Sequence, residues 1–98
     1  MQQATVKTSL GDIASAADEI CVLGQGNSRA LPISQYPFRL SAQGKTLSAS
    51  LGNWSSTRTL ICTPDADGLE FYGTAYLWFE ETAGGSVPKI RVSINPPG

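Results

Sequence analysis

The strongest pattern in the chain is a strict alternation of side chains over residues 69–80. Successive residues of a β-strand point to opposite faces, so this segment predicts one long strand with two unlike faces. One face is apolar and typical of a core. The other places three amphipathic aromatic residues, Tyr72, Tyr76 and Trp78, between two carboxylates. The second face is therefore either a second packed layer or a binding surface.

Shorter runs predict the rest of the sheet. Residues 38–42 and 47–51 alternate on either side of a glycine-bearing turn, a pattern typical of a β-hairpin. Residues 57–63 are rich in β-branched side chains, and residues 89–94 alternate cleanly, so each run predicts a strand. Residues 64–68 combine proline, aspartate and glycine, and they predict the turn that leads into the aromatic strand.

The first part of the chain predicts one helix. Apolar residues from Ile13 onward recur at the spacing of a single helix face, over about three turns. Asp12 is suited to cap the first turn, and Gly24 is suited to end the last one. A short buried strand over residues 20–23 is the competing interpretation. The weak alternation of residues 4–9 predicts a first strand before the helix.

The predicted fold class is α+β, an antiparallel β-meander of about five strands with one N-terminal helix. The turns between strands from residue 38 onward are too short for parallel crossovers. Residues 24–37 predict a loop that contains one short extended piece at residues 30–33. If no helix forms, the same pattern makes a small all-β sandwich or barrel. A chain of 98 residues is expected to form a single domain over residues 1–98.

Charge and hydropathy exclude two classes of partner. The net charge is −1, and the seven Lys and Arg residues are spread along the chain, so no basic cluster is available to neutralise a nucleic-acid backbone. No apolar run approaches the ~20 residues that a membrane-spanning helix needs. We therefore expect no nucleic-acid partner and no membrane span. The low charged fraction of 15%, with many Ser and Thr residues, is typical of secreted β-domains.

The two cysteines, Cys21 and Cys62, predict a single disulfide. An even pair in a small, hydroxyl-rich chain fits an oxidising compartment. Closing a loop of this length stabilises a fold by about 4 kcal/mol on the chain-entropy model. Two unrelated buried thiols are the alternative. The disulfide predicts a secreted or periplasmic location, and free thiols would indicate a cytoplasmic one.

The sequence lacks the residues that most catalytic sites require. Histidine is absent, which excludes Ser-His-Asp and Cys-His catalysis and removes the commonest transition-metal ligand. The cysteines do not have the close spacing of a zinc site. Asp65 and Asp67 fit turn chemistry, because no glutamate follows at the spacing of a calcium loop. We therefore predict no enzyme, no metal site and no cofactor.

The aromatic residues carry the leading functional hypothesis. Rings with a polar tip are enriched at recognition surfaces because they bury a large area at low entropic cost. Trp54, in a predicted turn, either covers an edge of the core or provides another contact, with the loop of residues 25–36 nearby. We expect a non-catalytic interaction module that binds a protein or a glycan through Trp54, Tyr72, Tyr76 and Trp78. Under the alternative, the aromatic face packs beneath the helix.

Two other functions fit the same chain. The first is a structural subunit of a larger assembly such as a virion, a tail or a pilus. Its edge strands and an extended tail over residues 95–98 would then pair with neighbouring subunits. The second is a small inhibitor or effector that blocks another protein. The sequence does not fix the oligomeric state.

Overall fold

A computed structural model describes residues 2–24, 27–80 and 89–95. Within them one helix precedes seven strands, which confirms the predicted α+β class with an N-terminal helix. Of the predicted tail over residues 95–98, only Asn95 lies within the described residues. In chain order the elements are α1 (Gln2–Leu23), β1 (Ser28–Pro32), β2 (Phe38–Gln43), β3 (Thr46–Leu51), β4 (Trp54–Thr59), β5 (Thr63–Phe71), β6 (Thr74–Glu80) and β7 (Lys89–Ser93).

The strands form one sheet in the order β1-β6-β7-β5-β2-β3-β4. All neighbouring pairs are antiparallel except β5 and β7, which run parallel. The predicted meander therefore holds for β2, β3 and β4, but not for the whole sheet. Strand β7 lies between β5 and β6, which follow each other in the chain. The parallel pair is possible because β6 and the residues around it provide the long connection that parallel strands need.

The long alternating segment is two strands rather than one, because the chain turns between Phe71 and Thr74. Gly73 has a φ of 80°, in the left-handed region that favours glycine. Its N–H donates to the carbonyl of Ser34, and its carbonyl accepts from the N–H of Ile33, both at 2.9 Å. A break of two residues preserves the parity of the alternation, so the sequence pattern continues through the turn without a visible interruption.

Helix α1 begins at Gln2, eleven residues before the start at Ile13 that the capping pattern predicts. The predicted strand over residues 4–9 is wrong, and Asp12 lies inside the helix rather than at its start. Val6 and Leu10 extend the apolar stripe that includes Ile13, and all three side chains are fully buried. The burial of this stripe against the sheet outweighs the weak local alternation of Thr and Ser residues. Residues 20–23 are helical, so the competing strand does not form.

Two strand boundaries also differ from the prediction. Strand β4 covers residues 54–59 instead of 57–63, and residues 64–68 belong to β5 instead of forming a turn. The Pro64–Ile90 and Asp65–Arg91 pairings with β7 hold this segment extended. Proline and aspartate favour turns locally, but here tertiary pairing decides the conformation.

The sheet curves around α1, which contacts both of its edges. At the β1 edge, Arg29 Nη2 donates to Glu19 Oε1 of the helix at 2.6 Å. At the β4 edge, a Cβ atom added at Gly11 would lie 3.6 Å from Arg58 Nη2. The same helix also lies against β3, β6 and β7. Contacts of one helix with both edge strands and with strands between them indicate a sheet that curves around α1, and we call this curved sheet a trough.

Successive side chains of each strand point alternately to the two faces of the trough. The concave face points towards α1 and, with the helix, forms the hydrophobic core. We call the opposite side of the sheet the convex face. The fully buried strand side chains of the core are Phe38, Leu40, Leu47, Ala49, Phe71, Ala75, Leu77, Ile90 and Val92.

Candidate ligand-binding surface

The aromatic residues of β6 lie on the convex face. Ala75 and Leu77 are fully buried on the concave face, so the residues that alternate with them, Tyr76 and Trp78, point away from α1. Both aromatic side chains are partly exposed. The alternative in which this face packs beneath the helix is therefore not the arrangement that the fold adopts.

Trp78 sits in a row of cross-strand neighbours with distinct chemistry. Ser28 of β1 lies opposite it on one side, and Arg91 of β7 lies opposite it on the other. Directly opposed side chains have Cβ atoms about 5 Å apart. Arg91 Nη1 in turn donates to Asp65 Oδ2 at 2.7 Å, which continues the row onto β5. The indole is thus flanked by a hydroxyl residue and by a guanidinium held in an ion pair.

Tyr76 occupies the next convex position, about 7 Å from Trp78 along the strand. Its cross-strand neighbours, Ala30 of β1 and Ser93 of β7, are both small. Ala30 is exposed and Ser93 is buried, so small side chains border the ring of Tyr76 on both neighbouring strands. Together the two rings form an aromatic platform on the β1-β6-β7 part of the convex face.

The β2-β3-β4 part of the convex face carries hydroxyl groups instead of rings. Residues paired in register place these hydroxyls in rows across the three strands. The members are Ser41, Thr46, Ser48, Ser50, Ser55, Thr57 and Thr59. Within the described residues no helix or strand covers either part of the convex face. The surface therefore combines ring faces with many groups that both donate and accept hydrogen bonds.

Two tyrosines are exposed at one end of the trough. Tyr72, in the turn between β5 and β6, is 53% exposed, and Tyr36, in the loop before β2, is 51% exposed. The turn and the loop are joined by the two backbone hydrogen bonds of Gly73. Sequence reasoning included Tyr72 but not Tyr36. The available signal was a tyrosine followed directly by a proline in a segment predicted to be a loop.

A buried hydroxyl network holds this tyrosine end in place. The side chains of Ser9 and Ser34 are almost completely buried. The N–H of Ser34 donates to Ser9 Oγ at 2.9 Å, which ties the loop to α1. Ser34 Oγ accepts from the N–H of Tyr36 at 3.0 Å and donates to its carbonyl at 3.1 Å. These bonds fix the backbone from which the Tyr36 ring projects.

Trp54 lies apart from the other predicted contact residues. It is paired with Leu51 in the β3-β4 register, on the same concave side as the core residues of β3. Its side chain is partly buried and packs against the hydrophobic core. The structure therefore brings Tyr76 and Trp78 together and leaves Trp54 on the other face of the sheet, covering an edge of the core.

The predicted disulfide between Cys21 and Cys62 is present, with the two Cα atoms 5.9 Å apart. It joins the last turn of α1 to the segment between β4 and β5. The N–H of Ile61 adds a hydrogen bond to Asp18 Oδ1 at 2.9 Å in the same region. Such a bonded pair indicates an oxidising compartment.

Two further observations concern chemistry and membranes. In the part of the chain that the structure describes, no three His, Cys, Asp or Glu side chains come together as a metal site would require. The described helix lacks the long apolar stretch that a membrane crossing demands.

Comparison with protein-family models, curated proteins and solved structures finds no match to this chain. The fold and the side chains described above are therefore the whole basis for a functional argument.

Proposed function

We propose that the protein is a non-catalytic, secreted or periplasmic binding module that recognises a glycan through the convex face of its sheet. The observation that carries this proposal is the pair of partly exposed rings, Tyr76 and Trp78, on a face that no described element covers. Rings with a polar tip that keep part of their surface in solvent are suited to recognition.

The composition of the convex face favours a glycan over a protein ligand. A sugar offers apolar C–H faces, which pack on rings, and hydroxyls, which both donate and accept hydrogen bonds. The rings of the aromatic platform can pack against the C–H faces of a sugar. The Ser and Thr rows beside it can form hydrogen bonds with its hydroxyls. A protein interface of standard size usually has a more apolar centre than two rings surrounded by hydroxyls. A protein ligand stays the second prediction for the same surface.

The disulfide supports the proposed location. A bonded pair at Cys21 and Cys62 persists where thiols are oxidised, as in the periplasm or outside the cell. Polysaccharides are abundant in these compartments, so location and ligand are consistent. The assembly-subunit and inhibitor hypotheses stay predictions, because none of the described contacts distinguishes them.

The test is native gel electrophoresis in gels that contain one soluble polysaccharide each, such as a xylan, a glucan, a mannan or a chitosan derivative. We expect at least one polysaccharide to slow the wild-type protein. Trp78→Ala removes the larger ring of the platform and should weaken this retardation about tenfold or more, since stacked aromatic anchors dominate binding energy.

Trp54→Phe is the matched control, because it alters the tryptophan on the concave face and should leave retardation unchanged. If no polysaccharide slows the wild type, the glycan proposal is contradicted. If Trp78→Ala is slowed as much as the wild type, the convex platform is not the binding surface.

A further inference from the structure

We propose that a cleft at the tyrosine end is a second saccharide subsite, in which Arg39 and Glu70 recognise a pair of neighbouring sugar hydroxyls. This inference rests on the proposed function and deepens it. The cleft has a volume of about 360 Å³, and its lining includes Pro37, Arg39, Ser50 and Glu70. It opens where β2, β3 and β5 come to the same end of the sheet.

Arg39 and Glu70 lie directly opposite each other in the β2-β5 register, and both side chains are exposed. The described side chains include both residues, and no ion pair or hydrogen bond joins them. Arg91 and Asp65 provide the contrast, because they are also register partners, on the parallel strands β7 and β5, and do form an ion pair at 2.7 Å. The charged groups of the cleft are thus open to a ligand, whereas Arg91, beside the aromatic platform, is joined to Asp65.

The pairing of opposite charges specifies the chemistry of the ligand. A phosphate or carboxylate would be attracted by Arg39 and repelled by Glu70. A cation would be repelled by Arg39 and attracted by Glu70. A neutral group that both donates and accepts satisfies both side chains. Two adjacent hydroxyls of a sugar do so, because one can accept from the guanidinium while the other donates to the carboxylate.

A third polar group lies in line with Glu70 and Arg39 across the sheet. Ser50 of β3 lies opposite Arg39 on the side away from Glu70. The convex face therefore presents an acceptor, a donor and a hydroxyl on three adjacent strands, about 4.8 Å apart. That spacing suits successive polar groups of one sugar residue or of two linked residues.

The two exposed tyrosines are close in sequence to residues that line the cleft. Tyr36 immediately precedes Pro37 of the lining, and Tyr72 follows Glu70 by two residues. The Ser34 hydrogen bonds fix the Tyr36 backbone before any ligand arrives, which lowers the entropic cost of binding. The cleft thus combines ring surfaces and hydrogen-bonding groups on a backbone that is already ordered.

The experiment is a titration of the ¹⁵N-labelled full chain, followed by amide NMR shifts. The probes are neutral hexasaccharides of glucose, xylose, mannose and N-acetylglucosamine, with inorganic phosphate as a charged comparison. We expect at least one hexasaccharide to shift the amides of Arg39, Ser50 and Glu70. Arg39→Met should weaken binding about tenfold, which is the value of a charge-assisted hydrogen bond. Lys45→Met removes an equal charge from an exposed turn and should leave affinity unchanged.

The outcomes separate this proposal from the proposed function. Shifts at Tyr76 and Trp78 without shifts in the cleft would overturn the subsite and keep the convex platform. Shifts in the cleft alone would overturn the platform and keep the subsite. If no hexasaccharide shifts either region, both proposals fail. Tighter binding of phosphate than of every hexasaccharide would overturn the ligand class inferred from Arg39 and Glu70.

Discussion

The concave and convex faces are built from the same strands but serve different physical needs. On the concave face, neighbouring strands supply side chains such as Leu77 and Val92, which are fully buried against α1. On the convex face, one residue away along each strand, stand Trp78 and Arg91, which are both partly exposed. A single helix can cover only one face of a sheet, so residue parity assigns one face to the core and leaves the other for the binding role that we propose.

This separation has an energetic consequence. Burial of apolar area on the concave face supplies most of the folding free energy. The polar pairs of the convex face contribute little, since a partly exposed ion pair such as Arg91–Asp65 is worth about 1 kcal/mol or less. Substitutions on the convex face should therefore change binding while leaving the fold intact. Three predictions on stability test the comparison, from the largest effect to the smallest.

Loss of the disulfide should have the largest effect, because it holds the helix in the trough. We expect the double variant Cys21→Ser with Cys62→Ser to lose about 4 kcal/mol of unfolding free energy, the chain-entropy value for a loop of this length. Urea unfolding followed by circular dichroism measures the loss. Wild-type protein unfolded in reducing buffer is the control and should lose a similar amount. A loss below about 1 kcal/mol would show that the concave packing holds α1 without help.

A neighbouring pair on β6 tests the two faces most directly. Leu77→Ala should lower the unfolding free energy by about 3 kcal/mol, because it leaves a cavity among fully buried side chains. Trp78→Ala removes a larger side chain from the next position, but it should cost less, about 1–2 kcal/mol, because that ring is partly exposed and leaves no enclosed cavity. Urea denaturation of both variants measures the two losses of unfolding free energy. Equal losses would mean that the convex rings are also part of the core.

Much of the concave face could be predicted from the sequence, because its signal is local. The alternation around Leu40, Leu47 and Ala49 placed these residues in the core, and the pairing of Cys21 with Cys62 was anticipated from their number. Tyr76 and Trp78 of β6 were also assigned correctly to the face opposite Ala75 and Leu77. Each of these inferences depends only on strand parity or on simple composition.

The features that the sequence did not reveal depend on distant contacts. The turn at Gly73 preserves the parity of the strand pattern, so only its hydrogen bonds to the loop at Ser34 distinguish two strands from one. The position of Trp54 on the concave face follows from its register with Leu51. The opposition of Arg39 to Glu70 requires β5 to pair with β2, which lies about thirty residues earlier in the chain. Local propensity contains no information on such pairings.

The smallest expected effect comes from a reciprocal exchange on β3. Ser48 lies on the convex face opposite Ser41 and Thr57, whereas Ala49 beside it is fully buried. Ser48→Ala should change the unfolding free energy by less than about 0.5 kcal/mol, as is usual for surface positions. Ala49→Ser introduces the same oxygen atom on the other face, where it should cost about 1–3 kcal/mol because a buried hydroxyl without a partner loses its hydration. Thermal unfolding of the two variants compares them. Equal effects would mean that the hydroxyl rows are themselves covered in the folded protein, and the convex face would then no longer be available to a ligand.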